Sequence, residues 1–182
     1  IPLRLVGSEM CIRDRYHTHI SMNDLLSCAR ELQHLAHKLM YLGMDGEPIY
    51  SDDFTRLNKE VLVESDSLFA AKSSGIEEEA NLCLALLMGY NATIYDNGDK
   101  REKKQAVLDR ICNILKQLPP SLLKVRLLAF CYGEIYEESL LQEAYGIIDG
   151  WDKATLNSEQ TEIIEELKNI ADNPYPFEEI EE

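Results

Sequence analysis

The side chains best suited to chemistry are Glu31, His34 and His37, spaced i, i+3 and i+6. Residues three apart on a helix are neighbours, so both imidazoles could reach one ion, with the carboxylate as a third ligand or a proton acceptor. Such a trio would suit metal-assisted or acid–base hydrolysis. The spacing departs from H-E-x-x-H, because only Leu35 and Ala36 separate the histidines and no general-base glutamate lies between them. From Met22 onward the chain has no further histidine to complete a site. The trio therefore reads as partly buried, hydrogen-bonded histidines, and a small metal-dependent or hydrolytic enzyme is the alternative function. Cys28, six and nine residues from the histidines, would lie about 9 and 14 Å away along a helix axis, too far for a nucleophile and its base. Neither G-x-x-x-x-G-K-[ST] nor G-x-G-x-x-G occurs, so phosphate cradling by a glycine loop has no support. No catalytic residue, metal ligand or cofactor site is expected.

Two other groups stand out. Lys100, Arg101, Lys103 and Lys104 form a basic cluster at a helix start, where cations oppose the macrodipole; it reads as a solvated turn, with a contact to an acidic partner or nucleic acid as the functional reading. Tyr41, Tyr50, Phe54 and Arg56 flank one loop, and Tyr90, Asn91, Tyr95 and Asp96 follow a long apolar run. Tyr and Arg dominate protein–protein hot spots, because they bury large areas at modest entropy cost and keep a polar tip. Those eight residues are the expected partner-binding set.

Seven segments with a 3.6-residue apolar period must position these groups, and none shows sustained strand alternation. The first spans about 23–42 and stops at Gly43. The second starts at Ser51, read as an N-cap ahead of Asp52 and Asp53. The third opens on a capping box from Ser74 to Glu77 and is apolar on every side from Leu82 to Met88, so it must be surrounded. The fourth begins with a box from Asp99 to Glu102 and breaks at Pro119 and Pro120. Ser121 caps the fifth, the sixth covers about 136–151, and the seventh starts near Asn157. Short connections favour antiparallel neighbours. The predicted fold is all-α, a compact bundle of about seven helices around a buried central helix at 76–97.

The chain has 182 residues and a net charge of −15, enough length for one domain with a real core. The acidity repels nucleic-acid phosphates and anionic lipid, and no apolar run is long enough to span a bilayer. A cytoplasmic protein that binds neither nucleic acid nor membrane directly is expected. The first block, IPLRLVGSEMCIRDR, lacks helical or strand periodicity and resembles translated adaptor read-through. Residues 1–21 are accordingly read as a non-native leader, 22–172 as a single domain near −16 with the tail included, and 173–182 as an acidic extended tail. Cys28, Cys83, Cys112 and Cys131 form no C-x-x-C pair and read as buried thiols of a reducing compartment.

Four stretches carry a resemblance: HLAHKLMYLGMDGEPIYSDDFTRLNKEV (34–61), EEEANLCLALLMGYNATIYDNGDK (77–100), LPPSLLKVRLLAFCYGEIYEE (118–138) and NPYPFEEI (173–180). Through them the chain resembles the UpxZ family, transcription antitermination antagonists of Bacteroidales capsular polysaccharide loci, over essentially 22–182. The resemblance implies a trans-acting regulator. It would inhibit the NusG-like (UpxY-type) antiterminators of other capsule loci, with the RNA polymerase complex as a further partner, so that one capsule is expressed at a time. It implies no catalytic residue.

Overall fold

The computed structural model describes residues 22–44, 46 and 48–172; the expected leader and acidic tail lie outside them. Seven helices and no strand are found among the described residues: α1 Met22–Met40, α2 Ser51–Phe69, α3 Ile76–Ala92, α4 Lys100–Leu115, α5 Leu122–Ile135, α6 Glu138–Ile148 and α7 Ser158–Asp172. None is long and apolar enough to cross a membrane.

Helix α3 is the hub its composition predicts. Leu82, Cys83, Leu84, Ala85, Leu86 and Leu87 are all buried, against α1, α2, α4 and α5. Burying each of these leucines contributes about 1.5–3 kcal/mol. Helix α7 packs on α5 and α6, outside this inner set. From α2 to α4, helices consecutive in the chain alternate in direction. Thr93 of the segment after α3 bonds Asn58 of α2, and Tyr90 bonds Asp66, so α2 and α3 are antiparallel. Lys104 bonds Asn91 while Arg110 bonds Glu79, so α3 and α4 are antiparallel too.

The capping chemistry partly follows the sequence and partly corrects it. Ser121 accepts the Lys124 N–H at 3.2 Å, as its position predicts. Asn157 and Gln160 satisfy each other's backbone N–H at 2.8 and 3.0 Å, a reciprocal box at the start of α7. Ser74 pairs with Glu78 rather than Glu77: its N–H and hydroxyl both donate to that carboxylate, at 2.6 and 2.8 Å, because α3 starts at Ile76 and places Glu78 over Ser74. Asp99 makes no side-chain cap; Asp96 instead accepts Gly98 N–H at 2.7 Å and Lys100 N–H at 3.1 Å, and Asp99 pairs with Lys103 at 3.0 Å. Ser51 is the first residue of α2, and the cap position falls on Tyr50.

Two helix ends differ from expectation. The central helix stops at Ala92, not 97, because side-chain hydrogen bonds from Asn58 give the backbone after Thr93 an alternative to the helical ladder. Tyr136 does not open the sixth helix. It closes α5 in the left-handed region at φ 54°, its N–H on Tyr132 O, and α6 begins at Glu138. Of the four cysteines among the described residues, none in a disulfide, Cys83 and Cys131 are buried, Cys28 is half-buried and Cys112 is exposed. Burial pushes the Cys83 and Cys131 thiols up to about 12, so neither supplies a thiolate near neutral pH.

Candidate partner-binding end of the bundle

The α1 C-terminus, the α2 N-terminus and the described residues between them form one end of the bundle. The antiparallel pairing brings the α3 C-terminus and α4 N-terminus to the same end, and Glu134 near the end of α5 joins them by bonding Lys104. Asn58 clamps this end. Buried in α2, its side chain donates to Phe54 O at 2.9 Å and accepts Ile94 N–H at 2.9 Å, and its carbonyl accepts the Thr93 hydroxyl at 2.9 Å. Lys100 Nζ then bonds Thr93 O. The 93–99 connection is thereby fixed over the start of α2.

Large exposed apolar side chains gather at this end. Met40, Tyr41, Met44, Ile49, Tyr50, Ile94, Ile135 and Tyr136 belong to it, and only Val63, Ile76 and Tyr145 lie elsewhere among the described residues. Met44 is 74%, Tyr50 66% and Ile94 68% exposed. Isolated exposed apolar residues are ordinary, whereas interaction surfaces are commonly built where such residues collect. Sequence reasoning missed Met44, Ile49 and Ile94. The available signal was an apolar residue in a Gly-, Pro- or Asp-rich connection, where no helix face exists to bury it.

The structure sorts the eight residues expected to bind a partner. Tyr41 and Tyr50 are exposed, and Phe54 and Tyr95 are half-buried and packed against the core. The Tyr41 ring lies on His37 at 4.4 Å between centroids, and burial, then Glu166 and Glu162, raise its hydroxyl pKa. Arg56 is exposed and spans Asp53 at 3.4 Å and Glu60 at 3.3 Å, surface pairs worth a few tenths of a kcal/mol each. Asn91 is exposed and accepts Lys104, while the exposed Asp96 is held below the usual carboxylate range by the Lys100 and Gly98 N–H groups. Tyr90 is the correction: it is fully buried. Its hydroxyl donates to Asp66 at 3.1 Å and its ring meets Phe69 edge-on, so it anchors α3 to α2 and cannot face a partner. Burial and the Asp66 carboxylate raise its pKa.

The basic cluster is internal glue rather than a solvated turn. Lys103 bonds Asp66 at 2.8 Å beside the Phe69 ring, Lys104 bonds Glu134 and Asn91, and Lys100 bonds Thr93 O; Arg101 alone of the four is exposed. Glu31, His34 and His37 are all exposed, contrary to the partly buried histidines expected, because they lie on the outer side of α1 from Leu32 and Ala36. His34 and His37 line a groove that Glu31 does not reach. Among the described residues no three His, Cys, Asp or Glu side chains are arranged to hold a metal ion.

The family model describing the UpxZ family of transcription anti-terminator antagonists matches residues 29–133, which include all but the last two of the exposed residues gathered at this end. The chain belongs to the UpxZ family. It is also similar to a crystal structure of a transcription anti-terminator antagonist, UpxZ from Bacteroides uniformis ATCC 8492. Sequence identity is 63%, the alignment covers 87% of this chain and 99% of that one, and the TM-score is 0.76. No functionally curated protein matches the chain. For a chain of this family of transcription regulators, an exposed apolar end is a more telling feature than the histidines of α1.

Proposed function

We propose that this UpxZ-family chain antagonises antitermination by binding a NusG-like (UpxY-type) antiterminator directly, through the end that carries Tyr41, Met44, Ile49, Tyr50 and Ile94. The observation that carries the reading is the gathering of exposed apolar side chains there, on a molecule of net charge −15. The antagonist acts in the cytoplasm without catalysis, masking the surface with which an antiterminator engages RNA polymerase. Its targets are the antiterminators of other capsule loci, which makes capsule expression hierarchical. Apolar anchors supply affinity, and the surrounding carboxylates steer a basic partner into place.

Co-purification of the chain with antiterminators from several loci, at low salt, tests direct binding. Stable complexes with some of them and not others are expected. Complexes with none would end the direct-binding reading.

A further inference from the structure

Helices α1 and α7 both pack onto the inner helices but share no extensive interface. Between them runs a groove of about 650 Å³, continuing into one of about 540 Å³ along α3 from Glu77 to Met88, a run of roughly 16 Å. Three turns of helix have that length. The floor includes the half-buried Met88 and Phe130, with Met40 at the rim. Methionine and phenylalanine together make an adaptable apolar seat.

The walls are charged and stand apart. Helix α7 turns Glu159, Glu162 and Glu166 into the groove, and the α1 side carries Arg30, His34 and His37. No ion pair crosses from α1 to α7 among the described residues, and Arg126 of α5 approaches Glu159 only to 4.0 Å. The acidic wall of α7 is therefore only partly neutralised from within the chain. The acidic wall is also electrostatically uncomfortable: burial, then Glu162, raises the Glu166 pKa, with Arg126 opposing them weakly. The groove opens at Tyr41, whose hydroxyl feels Glu166 and Glu162, so it is continuous with the exposed apolar end.

We infer that this groove is a docking slot for a cationic amphipathic helix of the antiterminator, its apolar stripe seated on Met88 and Phe130 and its lysines or arginines facing Glu162 and Glu166. The inference rests on the reading of the chain as an antiterminator-binding protein, and it extends the interface from the exposed end along the α1–α7 slot. A helix laid in such a groove is read by anchors at i, i+3, i+4 and i+7.

Titration of the full chain against an antiterminator that it co-purifies with tests this. Glu162→Lys/Glu166→Lys is expected to weaken binding at least tenfold. The milder Glu162→Gln/Glu166→Gln is expected to weaken it several-fold while raising the melting temperature, because it removes two crowded carboxylates. A melting temperature that rises with binding unchanged in both variants would overturn the groove and leave direct binding standing. No binding by the wild-type chain would overturn both. Hydrogen exchange of the complex is expected to show new protection over 159–166. No gain in protection there on complex formation would show that the antiterminator does not enter the groove. Concentration-dependent protection in the free chain would assign the groove to a second copy. Either result overturns the proposal.

Discussion

Gly89 shows how a single position can join three helices. A Cβ there would run into Ser65 Oγ of α2 and come within 3.2 Å of Leu32 Cδ1 of α1. Alanine is a better helix former than glycine by about 1 kcal/mol, but overpacking a tight core costs about 1–3 kcal/mol. Gly89→Ala should therefore destabilise the protein in denaturant unfolding. In a Ser65→Ala background, where the obstructing hydroxyl is gone, the same substitution should become neutral or stabilising. Glu79 is a second such position. Burial alone would raise its pKa, but hydrogen bonds from Arg110 and Ser73, both at 2.7 Å, hold it below the usual carboxylate range. A depressed carboxyl contributes stability above its unfolded value of about 4.3, and that contribution disappears as pH falls through the lower folded value. Glu79→Gln should cost about 1.5–3 kcal/mol at pH 7, and the gap between the two proteins should close below about pH 4. A gap that stays constant from pH 7 to pH 3 would show that the carboxylate charge is not what matters.

At the scale of elements, the clamp at Asn58 decides whether the apolar end keeps its shape. Asn58→Leu removes the partner of the Ile94 N–H and of one end of the Thr93 network, at a cost of about 1–3 kcal/mol. Faster hydrogen exchange at Ile94 and weaker antiterminator binding should accompany it; unchanged exchange would show the 93–99 connection to be held by other means. The same clamp explains what could be read in the sequence and what could not. All seven helices were legible from apolar period, and the hub from the unbroken run Leu82–Met88. The end of α3 was not, because Thr93, Ile94 and Tyr95 continue an acceptable helical pattern and are drawn away by the Asn58 side chain, which accepts the Thr93 hydroxyl and the Ile94 N–H from another helix. The α4 cap moved from Asp99 to Asp96 for a similar reason: Asp99 is taken by Lys103. The burial of Tyr90 depends on Asp66 and Phe69 of another helix, so its type and spacing alone suggested a surface aromatic. The exposed end was half legible, in Tyr41 and Tyr50, while the aliphatic residues of the connections carried no periodic signal.

For the whole molecule, the acidic excess bears on association kinetics more than on the fold. Ion pairs such as Lys103–Asp66, Arg110–Glu79 and Lys124–Glu143 tie helices together, and many of the other carboxylates among the described residues are exposed. If those carboxylates steer a basic antiterminator, the association rate should fall steeply from 50 to 300 mM salt while the dissociation rate changes little. The central claim is that the apolar end binds the antiterminator, and calorimetric titration of a purified antiterminator with wild-type protein and with Tyr50→Ala/Ile94→Asp tests it most directly. The wild-type protein should form a one-to-one complex, and the variant, with its melting temperature preserved, should bind at least tenfold more weakly, a loss of about 1.4 kcal/mol or more. Equal affinity for the two proteins, or no heat of binding at low salt with any antiterminator, would contradict it.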